Sequence, residues 1–345
     1  MNAHVPTLAR ERPQTDRARA SAGTLLRDRV EPVGASVAHG STIDQFEIPV
    51  VAPFRLDLTV AVLRRLSTNI VDTLTADGHY VRVFSGFSHP IVALVKQERP
   101  TALVVTLEGC RDGGECARAL ELVGRTLGVD RDLSLFNAAS DSLPWLRPLA
   151  RRMRGVKPPR YPTLWEACVN AVVFQQLSLV AASAILRRMV TALGAPLMAR
   201  SATLSELPGV ETFQAAPGGV LRAAGLSENK LATLRRIGEA LVSGALDEAT
   251  LQRCSSHEAL ARLRRIKGVG PWTATLILLR GLARLDVFPM NDTSVASNLV
   301  FIAGSPPPDL EQALSVLGAQ RGMLYYHLLL ARLDARGEIG RVSRG

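Results

Sequence analysis

The run Gly268-Val-Gly-Pro271 constrains the fold of this chain more than any other feature of its sequence. Two glycines around a single apolar residue allow a backbone turn of positive φ without a Cβ clash. Pro271 suits the first turn of a helix, where its missing N–H costs nothing. The run therefore predicts a tight hairpin between two helices.

Such a hairpin is also a predicted phosphate site. It leaves unpaired amides at a helix N-terminus, which attract anions, and Arg264, Arg265 and Lys267 lie beside it. The backbone carbonyls of Arg264, Ile266 and Val269 could in addition hold a monovalent cation. Because Gly-x-Gly turns also join helices in proteins with no nucleic-acid role, the hairpin alone does not establish DNA binding.

Composition agrees with a polyanionic partner without establishing one. The 345 residues carry a formal net charge of +10 and a sequence pI near 10.2, and basic surfaces gain affinity by releasing counterions from phosphate. The longest apolar stretches are much too short to span a bilayer, so we expect no membrane partner. The length suffices for two or three domains.

The four cysteines are scattered and form no C-x-x-C pair: Cys110, Cys116, Cys168 and Cys254. This spacing argues against structural zinc and against an iron–sulfur cluster. We therefore expect no cofactor beyond the hairpin cation. Scattered thiols fit a reducing compartment, which predicts a cytoplasmic location.

Three regions follow from the pattern along the chain. Residues 1–44 contain few large apolar groups and predict a disordered basic tail. Residues 45–135 combine a helical segment, Val60–Leu66, with β-prone runs and predict a small α+β domain with an antiparallel sheet. Residues 136–340 are predicted to be helical. The expected strands are Tyr80–Phe84, Ile91–Lys96 and Leu103–Leu107.

Within the helical region, Thr163 and Glu166 have the spacing of a capping box. The stretch Arg147–Arg160 is strongly basic, and we interpret it as a solvated connector in preference to a specific DNA contact. Proline and glycine punctuate the later helices. These are predicted near 178–193, 218–225, 227–243, 256–266, 271–282, 293–303, 309–317 and 320–334.

Asp292, in the run Asn291-Asp-Thr-Ser294, has two interpretations from the residues alone. The more ordinary one is an N-cap of the apolar helix that follows. The other is a catalytic carboxylate. Cleavage of an N-glycosidic bond builds oxocarbenium character at the anomeric carbon, and a negative charge held nearby stabilises that state.

The hairpin followed by Asp286–Asp292 resembles the helix–hairpin–helix base-excision DNA glycosylases, and is most similar to bacterial 3-methyladenine DNA glycosylase II. Three further segments carry the resemblance: Tyr161–Ser178, Leu221–Lys230 and Arg321–Leu328. Together they cover about residues 160–335. The resemblance implies a mostly α fold with a small α+β N-terminal domain, in which two helical subdomains form a cleft.

The resemblance also implies residue roles, and it makes Asp292 the catalytic aspartate. Gln176, or its neighbour Gln175, falls where the family inserts a side chain into the gap left by an extruded base. A polar residue there departs from the leucine of the bacterial subfamily. The implied DNA-binding residues are Arg264, Lys267, Gly268, Val269, Gly270, Thr273, Gln175 and Gln176.

Trp272 lies where bifunctional family members carry a Schiff-base lysine. An indole cannot form an imine, so we expect no AP-lyase activity. The resemblance implies that Trp272 is a wall of the base pocket, where its π face suits an electron-poor purine. Leu276, Leu329 and Thr293 replace aromatic residues of the bacterial relative, so the pocket is expected to be less aromatic.

The sequence thus predicts a monofunctional DNA glycosylase that flips a damaged, alkylated purine out of double-stranded DNA. It would hydrolyse the N-glycosidic bond in base-excision repair and leave an unnicked abasic site. We expect a monomer at the bacterial nucleoid. Two alternatives stay open: a non-catalytic DNA-damage-binding protein that keeps the hairpin, and a strand-cleaving enzyme that uses Lys267 or Lys230.

Overall fold

An antiparallel sheet of six strands forms the N-terminal part of the protein, in the order β1-β2-β6-β5-β4-β3. The computed structural model describes residues 36–38, 41–194, 196–199, 202–290 and 292–339. The strands of this sheet are β1 (Ser36–Ala38), β2 (Ser41–Pro49), β3 (Thr73–Leu74), β4 (Tyr80–Phe84), β5 (Ile91–Arg99) and β6 (Ala102–Glu108).

The sheet begins earlier in the chain than the sequence pattern indicated. The three expected strands coincide with β4, β5 and the core of β6, but β1 and the first four residues of β2 fall within residues 1–44. Strand β2 pairs with β6 from Ile43 to Pro49. The sequence pattern did not indicate this strand, because alternating apolar residues begin only at Ile43 and its partner strand is distant in the sequence. Of the tail predicted for residues 1–44, residues 1–35, 39 and 40 lie outside the described residues.

Two helices, α1 (Leu56–Arg64) and α2 (Gly113–Leu127), pack with the sheet around a shared hydrophobic core. The sequence reading did not predict α2, which opens on two glycines, residues more typical of turns. Asp112 compensates for them, since its carboxylate accepts a hydrogen bond from the Glu115 amide at 2.8 Å.

The rest of the described chain is almost entirely helical. Its helices are α3 (Ser134–Asp141), α4 (Arg147–Arg152), α5 (Leu164–Val173), α6 (Leu179–Leu193), α7 (Val210–Ala215), α8 (Gly218–Ala223), α9 (Glu228–Val242), α10 (Glu248–Arg253), α11 (Ser256–Arg264), α12 (Pro271–Gly281), α13 (Thr293–Ala303), α14 (Leu310–Leu317) and α15 (Met323–Ala335). A small hairpin that was not expected, β7 (Leu197–Ala199) and β8 (Ala202–Leu204), follows α6.

Helices α5 and α12 pack against each other at the centre of a second hydrophobic core. Every residue of α5 is buried, and so is α12 from Thr273 to Gly281. The predicted fold class, mostly α with a small α+β N-terminal part, is confirmed. Among the described helices, none is both long enough and apolar enough to cross a bilayer.

The basic stretch Arg147–Arg160 is not the solvated connector that we expected. Its first half forms α4, and its second half is packed into the protein. The Lys157 ammonium donates to the Arg131 carbonyl at 2.6 Å, and Arg160 forms an ion pair with Glu248. Burial is tolerated because these cations have oxygen partners, which spacing along the chain does not reveal.

A buried ion cluster joins the sheet to α5. Arg82 on β4 pairs with Asp72 and with Glu166, and all three side chains are buried. Thr163 accepts a hydrogen bond from the Glu166 amide at 3.1 Å, so half of the predicted capping box is present. The Glu166 carboxylate turns to Arg82, because a buried guanidinium requires compensating charge.

Candidate active site

One open cleft of about 1480 Å³ runs past the ends of several helices. It is lined by the α5–α6 turn, by the segment before α12 and the first turns of α12, and by the start of α13. One face of α15 and one face of α9 also line it. This cleft contains most of the residues that the sequence singled out.

The segment Arg265–Gly270, here called the Gly268 turn, joins α11 to α12. Gly268 has φ of +100°, and a Cβ at this position would lie 1.9 Å from Thr233 Oγ1 on α9. Glycine is therefore required both by the backbone conformation and by close packing. The expectation of positive φ is wrong for Gly270, which is extended at φ −83° and caps a helix with Pro271 in its first turn.

The predicted DNA-binding residues divide into two groups. Six line the cleft: Lys267, Gly268, Gly270, Thr273, Gln175 and Gln176. Val269 is buried in the core, and Arg264 is exposed outside the cleft. The Ile266 carbonyl already accepts the Val269 amide at 3.0 Å. The cation at the carbonyls of Arg264, Ile266 and Val269 stays a prediction.

The α5–α6 turn presents its two glutamines differently. The side-chain amide of Gln175 donates through Nε2 to the Gly268 carbonyl at 3.1 Å and to Thr273 Oγ1 at 2.7 Å. Gln175 therefore braces the Gly268 turn. Gln176 is exposed, and its φ of +54° is uncommon for a residue with a side chain. Of the two, Gln176 has the side chain that is free to reach outward.

Asp292 is the N-cap of α13, and its catalytic role stays a prediction. Oδ1 accepts hydrogen bonds from the Ser294 amide at 2.8 Å and the Ser294 hydroxyl at 2.6 Å, which caps α13. Oδ2 accepts the indole N–H of Trp272 at 3.0 Å. The carboxylate lines the same cleft as the Gly268 turn. Helix capping thus orients the carboxylate toward the cleft.

The predicted pocket residues Trp272, Leu276, Thr293 and Leu329 all line the cleft. The hydrogen bond to Asp292 fixes the orientation of the Trp272 ring. Sequence reasoning did not find several further lining residues, among them Arg65, Asn298, Tyr325 and Arg332. Tyr325 and Arg332 stand on one face of α15 with Leu329, so a helical spacing of four and three residues could have indicated them.

The charge of the cleft is strongly asymmetric. Five cations line it: Arg65, Arg236, Lys267, Arg332 and Arg336. Asp292 is the single acidic side chain among its described lining residues. Such a surface attracts a polyanion while holding one carboxylate inside the positive region.

The two lysines considered for strand cleavage are placed differently. Lys230 Nζ donates to the carbonyls of Val173 at 2.8 Å and Gln175 at 2.9 Å, at the C-terminal end of α5. Burial lowers the pKa of Lys230, but its ammonium is occupied by these bonds. Lys267 is exposed and lines the cleft.

Two curated relatives align with much of the chain, although no family model matches it. The probable bifunctional transcriptional activator/DNA repair enzyme AlkA of Mycobacterium tuberculosis is 29% identical over 275 residues, 78% of this chain and 53% of the relative. DNA-3-methyladenine glycosylase 1 of Schizosaccharomyces pombe is 31% identical over 143 residues, which are 41% of this chain and 59% of the relative. The chain spans little more than half the length of these relatives.

The solved structure of the 3-methyladenine DNA glycosylase from Archaeoglobus fulgidus superimposes with a TM-score of 0.68 at 21% identity, covering 84% of this chain and 98% of that one. By sequence the chain is similar to proteins named DNA-3-methyladenine glycosylase, and it shares the fold of this solved structure. The resemblance seen in the sequence is confirmed, and the chain has the architecture that the motifs implied.

Proposed function

We propose that the chain is a monofunctional DNA glycosylase that removes damaged, alkylated purines from double-stranded DNA in base-excision repair. The observation that carries the proposal is the position of Asp292. It is one carboxylate in a cleft lined by five cations and by the Gly268 turn. The homology to DNA-3-methyladenine glycosylases supports the same function.

The basic walls and the first turn of α12 bind the phosphate backbone in this proposal. No side chain in the described part of the protein caps the N-terminus of α12, so its first amides can meet a phosphate oxygen. Gln176 fills the gap left by the flipped nucleotide, which offsets part of the few kcal/mol needed to unstack a base.

Chemistry follows from the charge of Asp292. The C1′–N9 bond breaks, and its electron pair leaves with the base. An alkylated purine is already cationic and therefore a good leaving group. Asp292 stabilises the oxocarbenium ion that remains. Water then adds its oxygen to C1′ and its proton is lost, so the net reaction is hydrolysis to a free base and an abasic site.

The absence of lyase activity rests on the side chains near Asp292. Trp272 occupies the position next to Asp292, and its indole N–H cannot form an imine. Lys230 is bound by two carbonyls. Lys267 is the remaining candidate amine among the described cleft residues, and it belongs to the Gly268 turn.

One assay tests both parts of the proposal. We expect the purified protein to release methylated purines from alkylated duplex DNA, with strand breaks appearing only after alkali. Borohydride is expected to trap no covalent adduct. Binding without base release would favour the non-catalytic alternative, and an adduct lost in Lys267→Ala would favour the strand-cleaving one.

Lys267→Ala is expected to weaken DNA binding equally for all sequences. A phosphate contact carries no sequence information, and each one lost reduces the slope of log K against log salt by roughly 0.9. Fluorescence anisotropy across a salt series measures both the DNA affinity and this slope. Lys96→Ala removes a lysine from β5, outside the cleft, and should leave the slope unchanged. A sequence-selective loss in Lys267→Ala would contradict the phosphate assignment.

A further inference from the structure

Arg65 lies at the end of α1, in the wall of the cleft. It is 5% exposed, lines the cleft, and has φ of +60°, a conformation that costs energy in a residue with a long side chain. Its Cζ lies 3.8 Å from the centroid of the Phe174 ring. Nη1 is buried without a hydrogen-bond partner among the described residues.

No nearby group of the described chain neutralises this guanidinium. Burial and the like charge of Arg280 lower the pKa of Arg65, while Tyr161, Tyr325 and Asp72 oppose that shift more weakly. Asp72 is itself bound by Arg82 and by the Tyr80 hydroxyl. An arginine stays protonated in proteins. Arg65 therefore keeps a full charge and unused donors, which is costly unless a ligand supplies acceptors.

A continuous path of contacts connects Arg65 with the candidate catalytic carboxylate. Arg65 stacks on Phe174, and the next residue, Gln175, donates to Thr273. Thr273 follows Trp272, whose indole N–H donates to Asp292. Arg65 and Asp292 thus line the same cleft and are linked through α5 and α12.

We infer that Arg65 is a specificity-determining residue that donates to the O6 and N7 atoms of a flipped, neutral 6-oxopurine. This inference rests on the proposed function. The planar guanidinium fork matches two adjacent acceptors, as in arginine–guanine recognition. An adenine-type base presents an amino donor at position 6, and a cationic alkylated base is repelled by the guanidinium. Among the damaged purines that the cleft accepts, Arg65 therefore favours a neutral 6-oxopurine over 3-methyladenine.

A phosphate is the less suitable acceptor for Arg65. The side chain is almost fully buried and stacked on an aromatic ring, where a flat base can insert beside it. The exposed Lys267 and the amides at the start of α12 serve phosphates at the surface.

The test measures two single-turnover rates with the full chain. One substrate is a duplex with a single hypoxanthine, which is neutral and carries O6 and N7. The other is alkylated duplex from which released 3-methyladenine is counted. Arg65→Met is expected to slow hypoxanthine release by about 5- to 150-fold, the equivalent of the roughly 1–3 kcal/mol of a bidentate pair. Release of 3-methyladenine should be unchanged or faster.

Two further variants keep the test decisive. Arg65→Lys retains the charge without the fork, so it should slow hypoxanthine release without accelerating 3-methyladenine release. Arg235→Met removes another arginine stacked on a phenylalanine, Phe213, away from the cleft. It should leave the ratio of the two rates unchanged even if it lowers Tm.

Each contrary outcome has a distinct meaning. Equal slowing of both rates by Arg65→Met would assign Arg65 a general structural role and overturn the inference. Arg65→Met could also weaken binding to a duplex with a tetrahydrofuran abasic analogue as much as it slows hypoxanthine release. That result would assign Arg65 to a phosphate contact and would also overturn the inference. Release of 3-methyladenine without hypoxanthine by the wild type would overturn the inference alone. Release of neither base would overturn the proposed function.

Discussion

Asp292→Asn is expected to slow base release from alkylated duplex DNA by about 100- to 1000-fold. The substitution removes the single acidic side chain among the described cleft residues and preserves its shape. The oxocarbenium ion then forms in a cleft whose charged side chains, among the described residues, are all cationic. The transition state therefore loses its electrostatic stabilisation. Single-turnover release of methylated purines, measured with enzyme in excess, reports this step.

The same substitution has a structural cost that must be measured separately. Asp292 accepts from Ser294 through Oδ1 and from Trp272 through Oδ2, whereas an asparagine has only one acceptor oxygen. One of these bonds is therefore lost, at roughly 1 kcal/mol. Asparagine is still a good N-cap, so α13 should remain capped.

A matched variant separates capping from catalysis. Asp309 caps α14 by accepting the Gln312 amide at 3.0 Å and does not line the cleft. Asp309→Asn should lower Tm no more than slightly and leave base release unchanged. Retention of wild-type rates by Asp292→Asn would remove the carboxylate from the proposed mechanism.

Local chemistry explains why much of the fold and site could be predicted from sequence. Strand β4 coincides with its predicted range, and α13 runs over the predicted residues. Alternating apolar residues and a capping aspartate act over a few positions, so the chain itself displays them. Asp292 was found for the same reason, because a helix start and the family motif coincide there.

Features that depend on distant partners could not be predicted. Arg65 contacts Phe174, 109 positions further on, and nothing in its own neighbourhood indicates a place in the cleft. Lys157 was expected in solvent because its sequence is basic, yet it is buried against the Arg131 carbonyl. The capping carboxylate predicted at Glu166 is drawn to Arg82. In each case a tertiary partner outweighs the local pattern.

Gly268→Ala is expected to destabilise the protein strongly and to abolish DNA binding. An alanine Cβ would meet Thr233 Oγ1 at 1.9 Å and the Thr233 Cβ and Cγ2 at 2.9 Å. The backbone also has φ of +100°, which costs an L-residue roughly 1–2 kcal/mol. Overpacking adds roughly 1–3 kcal/mol. Because the Gly268 carbonyl holds Gln175, displacement of the turn should disturb both walls of the cleft.

Gly244→Ala isolates the cost of the backbone conformation alone. Gly244 follows α9 with φ of +73°, and a Cβ there meets nothing within 4 Å. Urea unfolding should therefore show a loss of only about 1–2 kcal/mol for Gly244→Ala and a clearly larger loss for Gly268→Ala.

Gly268→Ala is expected to lose more stability than Gly244→Ala. Adding Thr233→Ala to Gly268→Ala should recover part of this extra loss, because it removes the Oγ1 and Cγ2 atoms that the new methyl group meets. Contacting residues of this kind typically couple by about 0.5–3 kcal/mol. If the two glycine variants lost equal stability, close packing against Thr233 would not be what requires glycine at 268. The Gly268 turn would then be fixed by backbone conformation alone.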